Sequence, residues 1–280
     1  HDFFQTIRGG SYRPVVFLPH GLWVAFFALM AAMSALVLAR TTPKELRPKL
    51  TFAALYLLAI LVLCRSMGVL IYGAILAPLI LFAPPRTQAL VAGALALVVI
   101  TYPLLRGAQI IPIERITEFA RGFSADRAYS FQFRVDNEEA LLTHAAQKAL
   151  FGWGGYGRNL LHDPTMGGAN VTIADGAWII TLGIYGWAGY LSQFGLLVLP
   201  LLLLARAALR KGQEISAYAA CVALICAANL IDLLPNATLV PFTWLIAGAI
   251  LGHAEGLVRG RFHETDNSLS WRTAKRRTVI

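Results

Sequence analysis

Residues Ala177–Ala205 read AWIITLGIYGWAGYLSQFGLLVLPLLLLA, a run of 29 residues without a charged side chain. A helix needs about 20 predominantly apolar residues to cross the hydrocarbon core of a bilayer. The run therefore predicts a transmembrane helix. The rest of the chain has the same character, because hydrophobic residues make up 57% of it and charged residues only 14%. A soluble domain carries about 25% charged residues, so the composition predicts an all-α integral membrane protein.

Seven apolar runs along the chain predict transmembrane helices. They are Val15–Ala39, Leu50–Cys64, Met67–Ala83, Thr87–Leu105, Ala177–Ala205, Ser216–Leu234 and Leu239–Gly256. These runs divide the chain into four regions. Residues 1–105 hold four transmembrane helices, 106–176 form one large loop, 177–256 hold three more helices, and 257–280 form a basic tail.

The break between the second and third runs, at Cys64-Arg65-Ser66, is predicted from charge. Lys and Arg accumulate in cytoplasmic loops, and this bias sets the orientation of a membrane protein. With the break, the four segments on the side of the tail carry 14 of the 24 Lys and Arg residues. One long helix in place of the two would turn the basic tail outward. We therefore predict about seven transmembrane helices, with the large loop on the outer side of the membrane.

The net charge and the positions of the cysteines argue against a nucleic-acid-binding protein, a disulfide-stabilised protein and a zinc protein. The net charge of +9 is explained by membrane topology, and no nucleic-acid-binding motif accompanies it. Cys64, Cys221 and Cys226 lie within or at the edge of predicted helices, so the sequence predicts neither a disulfide framework nor a zinc site. The chain begins with His1 in a polar stretch, and we expect it to be an N-terminally truncated fragment.

The large loop carries helix signals and a cluster of glycines. Pro112–Phe123 predicts a short amphipathic helix. Asp136 and Glu139 have the spacing of a capping box, which predicts that a second helix begins there and continues through Leu150. The segment FGWGGYG follows at residues 151–157. Its glycines indicate either a close approach of backbone to a ligand or a tight connector to the next helix.

Two charged residues lie at the predicted outer boundary of the membrane. Arg65 is an interfacial anchor or part of a site, and its planar guanidinium suits phosphate. Asp232 shares a helix face with Asn229 and Asn236. This group indicates either hydrogen bonding between helices or a site at the level of the loop.

Several stretches resemble the O-antigen ligase and O-antigen polymerase superfamily of bacterial membrane glycosyltransferases. They are Ser130-Phe-Gln-Phe-Arg134, Phe151-Gly-Trp-Gly-Gly-Tyr-Gly157, Asp175-Gly-Ala-Trp-Ile-Ile-Thr-Leu-Gly183 and Tyr185-Gly-Trp-Ala-Gly189. The layout is also similar, with an arginine between earlier helices and a large periplasmic loop ahead of the last three. Many members have His-Asn where this chain has Asp175-Gly176. A base role at that position therefore passes to Asp175 or is lost.

The resemblance implies transfer of a glycan from an undecaprenyl-pyrophosphate carrier to an acceptor hydroxyl, on a glycan or a lipid, at the periplasmic face of the bacterial inner membrane. Both a polymerase and a ligase would carry out such a transfer, and the resemblance fits either. Arg65 and Arg134, with Arg158, would hold the diphosphate, since guanidinium pairs with phosphate in a bidentate way. Asp175 would take the acceptor proton or orient an arginine, with Glu138 and Asp232 as alternatives.

Further residues of the loop are expected to bind substrate. Gly152 and Gly154 would shape the backbone around it, and Trp153 and Tyr156 would stack on sugars or anchor the loop at the interface. The sequence contains no Asp-x-Asp pair, so we expect the arginines to replace a metal and expect no cofactor.

Two other interpretations stay open. A transporter or flippase of a lipid-linked glycan would place charged residues along a path through the bilayer. A non-catalytic membrane subunit would leave the loop arginines solvated, away from any cavity. Convergence of Arg65, Arg134 and Asp175 at the outer surface would favour the transferase.

Overall fold

Apolar helices form the frame of the molecule in a computed structural model of the chain, which describes residues 7–8, 11–16, 18–110, 118, 122 and 125–258. Within these residues the helices are α1 (Gly21–Thr41), α2 (Arg47–Leu63), α3 (Met67–Phe82), α4 (Pro85–Gly107), α5 (Ala125–Ala146), α6 (Ala177–Leu209), α7 (Ala217–Asp232) and α8 (Pro241–Val258). Two small antiparallel hairpins accompany them. They pair β1 (Ile7–Arg8) with β2 (Ser11–Tyr12), and β3 (His162–Asp163) with β4 (Ala169–Asn170).

Four of these helices, α1, α4, α6 and α8, are long and apolar enough to cross a membrane, while α3 and α7 are apolar but shorter. The chain thus has the build of a multi-pass membrane protein. Each of the seven apolar runs overlaps one of α1–α4 and α6–α8. The predicted break is present, because α2 ends at Leu63 and α3 begins at Met67. Arg65 turns the chain between them with φ 50°.

Helices α1, α4, α6 and α7 form the centre of the bundle. Helix α4 packs along α6 and α7, while α2 and α3 pack on α1, and α8 packs on α6 and α7. The core is centred on α6, whose Trp178, Tyr190 and Phe194 are fully buried. Tyr190 also donates its hydroxyl to the Val99 carbonyl of α4 at 2.7 Å, which satisfies the phenol inside an apolar core.

The basic segments that the structure describes, which follow α1, α3 and α6, meet at one end of the bundle. Arg40, at the end of α1, donates to the carbonyl of Ala83 after α3 at 2.8 Å. Arg86, at the start of α4, donates to the carbonyl of Leu209 at the end of α6 at 3.3 Å. We call this the basic end. At the opposite end, the first residues of α6 meet the last residues of α7, where the Ala177 amide donates to the Leu233 carbonyl at 2.9 Å.

Helix α6 is broken at Gly186, whose φ of 64° and ψ of −165° are not helical. The break frees backbone groups that lipid cannot satisfy. Residues 149–154, which include the start of the glycine-rich segment, pair with them. Trp153 and Gly154 donate to the carbonyls of Gly183 and Ile184, both at 2.8 Å, and Trp187 donates to the Ala149 carbonyl at 2.8 Å. The glycine-rich segment therefore supplies hydrogen-bond partners for the backbone groups that the break in α6 leaves unpaired.

The predicted boundary of the loop helix is wrong. Helix α5 begins at Ala125 rather than at Asp136, and it ends at Ala146 rather than Leu150. Asp136 lies in mid-helix and accepts from Gln132 Nε2 one turn earlier at 2.7 Å. A capping box needs an N-cap outside the helix, and nothing in 125–135 stops the helix before Asp136. Most of Pro112–Phe123, over which a helix is predicted, and most of the basic tail lie outside the described residues.

Candidate functional site

A cavity of about 900 Å³ opens at the end of the bundle opposite the basic end. Its walls come from the segment before α1, the start of α3, helix α5, the segment before α6 and the segment after α7. The polar side chains in these walls are Arg13, His20, Ser66, Tyr72, Arg134, Asp175, Asp232, Asn236 and Thr238. The fold thus gathers Arg134, Asp175 and Asp232, three of the residues selected from the sequence.

Arg134 and Asp175 form an ion pair in the cavity wall, with Arg134 Nε 3.1 Å from Asp175 Oδ2. Helix α5 supplies Arg134, and the segment leading into α6 supplies Asp175. Asn137 ties these two parts together. Its Oδ1 accepts from the Ile173 amide at 2.9 Å and its Nδ2 donates to the Phe133 carbonyl at 2.7 Å. The ion pair uses Nε, so the terminal amino groups of Arg134 keep donors for a ligand.

Asp232 lines the cavity but is only 3% exposed. Its carboxylate accepts from Asn236 Nδ2 at 3.1 Å and from Thr238 Oγ1 at 3.2 Å. These donors compensate for the burial of the charge. Asp232 therefore organises a polar wall of hydroxyl and amide groups rather than presenting an open carboxylate.

The N-terminal segment adds Arg13 and His20 to the cavity. Arg13 Nη2 donates to Ser66 Oγ at 3.4 Å. His20 caps α1, where its Nδ1 accepts from the Leu22 amide at 3.1 Å, so the neutral ring carries its proton on Nε2. Sequence reasoning missed Arg13. The available signal was its position, since Arg13 is a cation just before a predicted helix at the outer end, as Arg65 is.

A second ion pair lies behind α5 and docks it on the end of α4. Arg106 Nε is 3.8 Å from Glu138 Oε2, and the two side chains are 6% and 15% exposed. Arg106 also donates to the Val135 carbonyl at 3.3 Å. Burial raises the pKa of Glu138 to about 6, against the opposing effect of the Arg106 guanidinium. Glu138 therefore helps to hold α5, the helix that carries Arg134, against α4. It does not line the cavity.

Two of the arginines expected at the diphosphate do not line the cavity. Arg65 is exposed at the turn between α2 and α3, and the neighbouring Ser66 faces the cavity instead. Arg158 is exposed and its Nε donates to the Gly155 carbonyl at 3.1 Å. The convergence predicted for Arg65, Arg134 and Asp175 therefore holds for the last two only.

The glycine-rich segment is also placed away from the cavity lining. Trp153 stacks on His144 with ring centroids 4.2 Å apart and donates its indole N–H to the His144 carbonyl at 2.9 Å. Tyr156 is fully exposed. Gly152 and Gly154 press their backbone against α6, as described above. These contacts give the segment a packing role.

No group of three or more His, Cys, Asp or Glu side chains in the described part of the chain is arranged to hold a metal ion. Compared with protein-family models, with curated proteins and with solved structures, the chain matches none. The chemistry of the site is therefore derived from its own residues: two guanidinium groups, a carboxylate paired with one of them, a histidine and a wall of hydroxyl and amide groups.

Proposed function

We propose that the chain is a membrane glycosyltransferase. It transfers a glycan from an undecaprenyl-pyrophosphate carrier to a hydroxyl of a glycan or lipid acceptor, as a polymerase or ligase in polysaccharide assembly. The observation that carries the proposal is the Arg134–Asp175 ion pair in the wall of a large cavity, at the end of the bundle away from the basic segments. The anionic leaving group needs such a cation, and the acceptor proton needs such a carboxylate base beside it.

The proposed topology has seven crossings in the bacterial inner membrane. The basic end lies in the cytoplasm, following the positive-inside rule, and the cavity then opens to the periplasm. Helices α2 and α3 cross as separate short spans on either side of Cys64–Ser66. Residues 106–176 form the periplasmic loop. This arrangement places the polar groups of a lipid-linked donor at the cavity and leaves its polyprenyl tail in the bilayer.

The proposed chemistry begins when the diphosphate of the donor binds Arg13 and Arg134. Phosphate oxygens compete with Asp175 for the Arg134 guanidinium, and a bidentate arginine–phosphate pair is strong. Asp175 is thereby released as a base beside the acceptor. It accepts the hydroxyl proton as the acceptor oxygen bonds to the anomeric carbon. The electron pair of the breaking C–O bond passes to the pyrophosphate, where the guanidinium groups stabilise the charge.

This proposal assigns Arg13 to the place that the sequence suggested for Arg65 and Arg158. Arg13 lines the cavity and reaches Ser66, whereas the other two arginines lie outside the lining. Undecaprenyl pyrophosphate remains the expected donor carrier, and the bilayer remains the expected environment.

The test replaces Arg134 with Ala in the native gene, with Arg158→Ala as the matched control in the same loop. We expect normal membrane levels of both proteins. Arg134→Ala should abolish surface polysaccharide and let the lipid-linked precursor accumulate, while Arg158→Ala should retain polysaccharide. Wild-type polysaccharide in Arg134→Ala at a normal protein level would disprove the assignment.

A lipid-linked glycan flippase is the second candidate, and the break in α6 favours it, since discontinuous helices are common in transporters. The break is filled by residues 149–154 and does not line the cavity. The side of the membrane on which precursor accumulates separates the two candidates. A transferase defect leaves it on the periplasmic face, and a flippase defect leaves it on the cytoplasmic face.

A further inference from the structure

A second, shallower concavity of about 470 Å³ lies at the basic end, along the start of α2. It is lined by Lys44, Arg47, Pro48, Thr51, Phe52 and Leu55. Positions 47, 51 and 55 are spaced by one helical turn each, so they lie on one face of α2. This face, which we call the α2 groove, is cationic at its start and apolar further along.

The apolar half of the α2 groove is uncovered. Phe52 is 73% exposed and Leu55 is 60% exposed. Helix α2 buries only Ala54 and Leu61 and packs mainly on α1. Large apolar side chains exposed next to one another on a bundle of apolar helices mark a surface for lipid or a partner.

The cationic half lies at the level of lipid headgroups. Helix α1 is long and apolar enough to cross a membrane and ends at Thr41, so Lys44 and Arg47 follow directly at its membrane boundary. In the described part of the chain, neither side chain has a hydrogen bond or an ion pair. Arg40 and Arg86 at the same end, by contrast, donate to backbone carbonyls.

We propose that the α2 groove binds an anionic phospholipid. Lys44 and Arg47 contact the headgroup phosphate, and one acyl chain lies along Phe52 and Leu55. The charge identifies the occupant, because two cations beside an apolar face complement a headgroup with net negative charge and not a zwitterionic one. The site is independent of the proposed glycan transfer, which takes place at the opposite end of the bundle.

The test measures lipid binding to the detergent-solubilised chain by native mass spectrometry, with dioleoyl phosphatidylglycerol and dioleoyl phosphatidylcholine as probes. The double variant Lys44→Gln/Arg47→Gln is compared with Arg210→Gln/Lys211→Gln, which removes equal charge at the same end. We expect wild type to prefer phosphatidylglycerol. The first variant should bind it on the order of 25-fold more weakly, and the control should stay within about twofold of wild type.

Two further measurements test the role of the apolar half of the α2 groove and whether the bound phosphate belongs to a lipid. Phe52→Asn should weaken binding of both lipids, and inorganic phosphate should not displace phosphatidylglycerol. Equal losses in the two double variants would show diffuse charge attraction and overturn the site. Displacement by inorganic phosphate, or no preference for phosphatidylglycerol in wild type, would overturn the phospholipid assignment.

Discussion

Arg134 and Asp175 are 46% and 41% exposed, and this exposure determines what the ion pair can contribute. Solvent-exposed pairs stabilise a protein by about 0–1 kcal/mol, because water screens the charges and the side chains lose entropy. The pair therefore adds little to folding. Its position in the cavity wall is better explained by a ligand that exchanges with one partner.

Replacing Asp175 with Asn tests that explanation at the level of one residue. The amide keeps the shape of the side chain and removes its basicity. We expect the free energy of unfolding to change by less than about 1 kcal/mol, while the proposed glycan transfer falls to background. Thermal unfolding in detergent and accumulation of precursor measure the two effects. A large loss of stability would show that the pair is structural.

Glu138 predicts a pH dependence of stability. Its pKa is raised to about 6 in the fold from 4.5 in the unfolded chain, because burial disfavours the charged carboxylate. Its stabilising contribution is full below pH 4.5 and is lost as the pH rises through 6. The loss is about 2 kcal/mol. Glu138→Gln should flatten the pH profile of thermal stability over this window relative to wild type.

The exposed neighbour Glu139 provides the control for that measurement. Glu139→Gln removes the same charge from the same helix without touching Arg106. Its profile should follow wild type. If both variants shift the profile equally, the effect comes from the net charge of α5 and not from the buried pair.

At the scale of elements, two glycines form the joint between the glycine-rich segment and α6. A Cβ on Gly186 would lie 2.5 Å from the Leu150 carbonyl carbon, and a Cβ on Gly152 would lie 2.6 Å from the Gly186 nitrogen. Both glycines also have positive φ, 64° and 69°. Only glycine lets these two backbones approach so closely without strain.

Alanine at either glycine of the joint should therefore destabilise the protein. We expect a loss of at least about 1–3 kcal/mol from overpacking and strain, seen as a lower melting temperature and a lower yield of folded protein. Gly195→Ala is the control in the same helix, because a Cβ there meets nothing within 4 Å. It should be neutral or slightly stabilising. Equal effects at Gly186 and Gly195 would contradict the joint.

The elements differ in how well the sequence predicts them. The positions of α1–α4 and α6–α8 follow from apolar runs and charge, and the turn at Arg65 follows from the positive-inside rule. The break at Gly186 does not, because it depends on pairing with residues about 35 positions earlier that no local pattern reveals. The predicted start of α5 was also wrong. Asp136 has the residue spacing of a helix cap, but it lies within a continuous helix.

The residues of the cavity also differ in how well the sequence predicts them. Arg134, Asp175 and Asp232 were found from motif and position, and all three line it. Arg13 was missed because its one signal, a position just before a predicted helix at the outer end, does not show whether the side chain reaches the cavity. Arg65 and Arg158 were expected there because arginine suits phosphate, but chemical suitability does not fix where a side chain lies.

At the scale of the whole molecule, the bundle has two chemically different ends. One end gathers arginines that bind backbone carbonyls of neighbouring helices, and the other gathers the cavity and the loop helix. Helices α1, α3 and α6 all begin at the cavity end and α7 ends there. This alternation of direction fits the proposed topology of seven crossings, in which each end lies on one side of the membrane.

Single cysteines at the two ends test that topology. The native Cys64, Cys221 and Cys226 are buried, so new exposed thiols dominate labelling by a membrane-impermeant maleimide. On the proposed topology in a bacterial inner membrane, Tyr156→Cys and Arg65→Cys should label in intact cells with a permeable outer membrane. Lys211→Cys, at the basic end, should label only after the inner membrane is opened. The reverse pattern would invert the orientation and place the cavity in the cytoplasm.

Labelling at Tyr156→Cys but on neither side at Arg65→Cys would show that α2 and α3 do not cross. The number of spans would then fall to five, although the cavity would keep its side, because α2 and α3 leave and return to the same face.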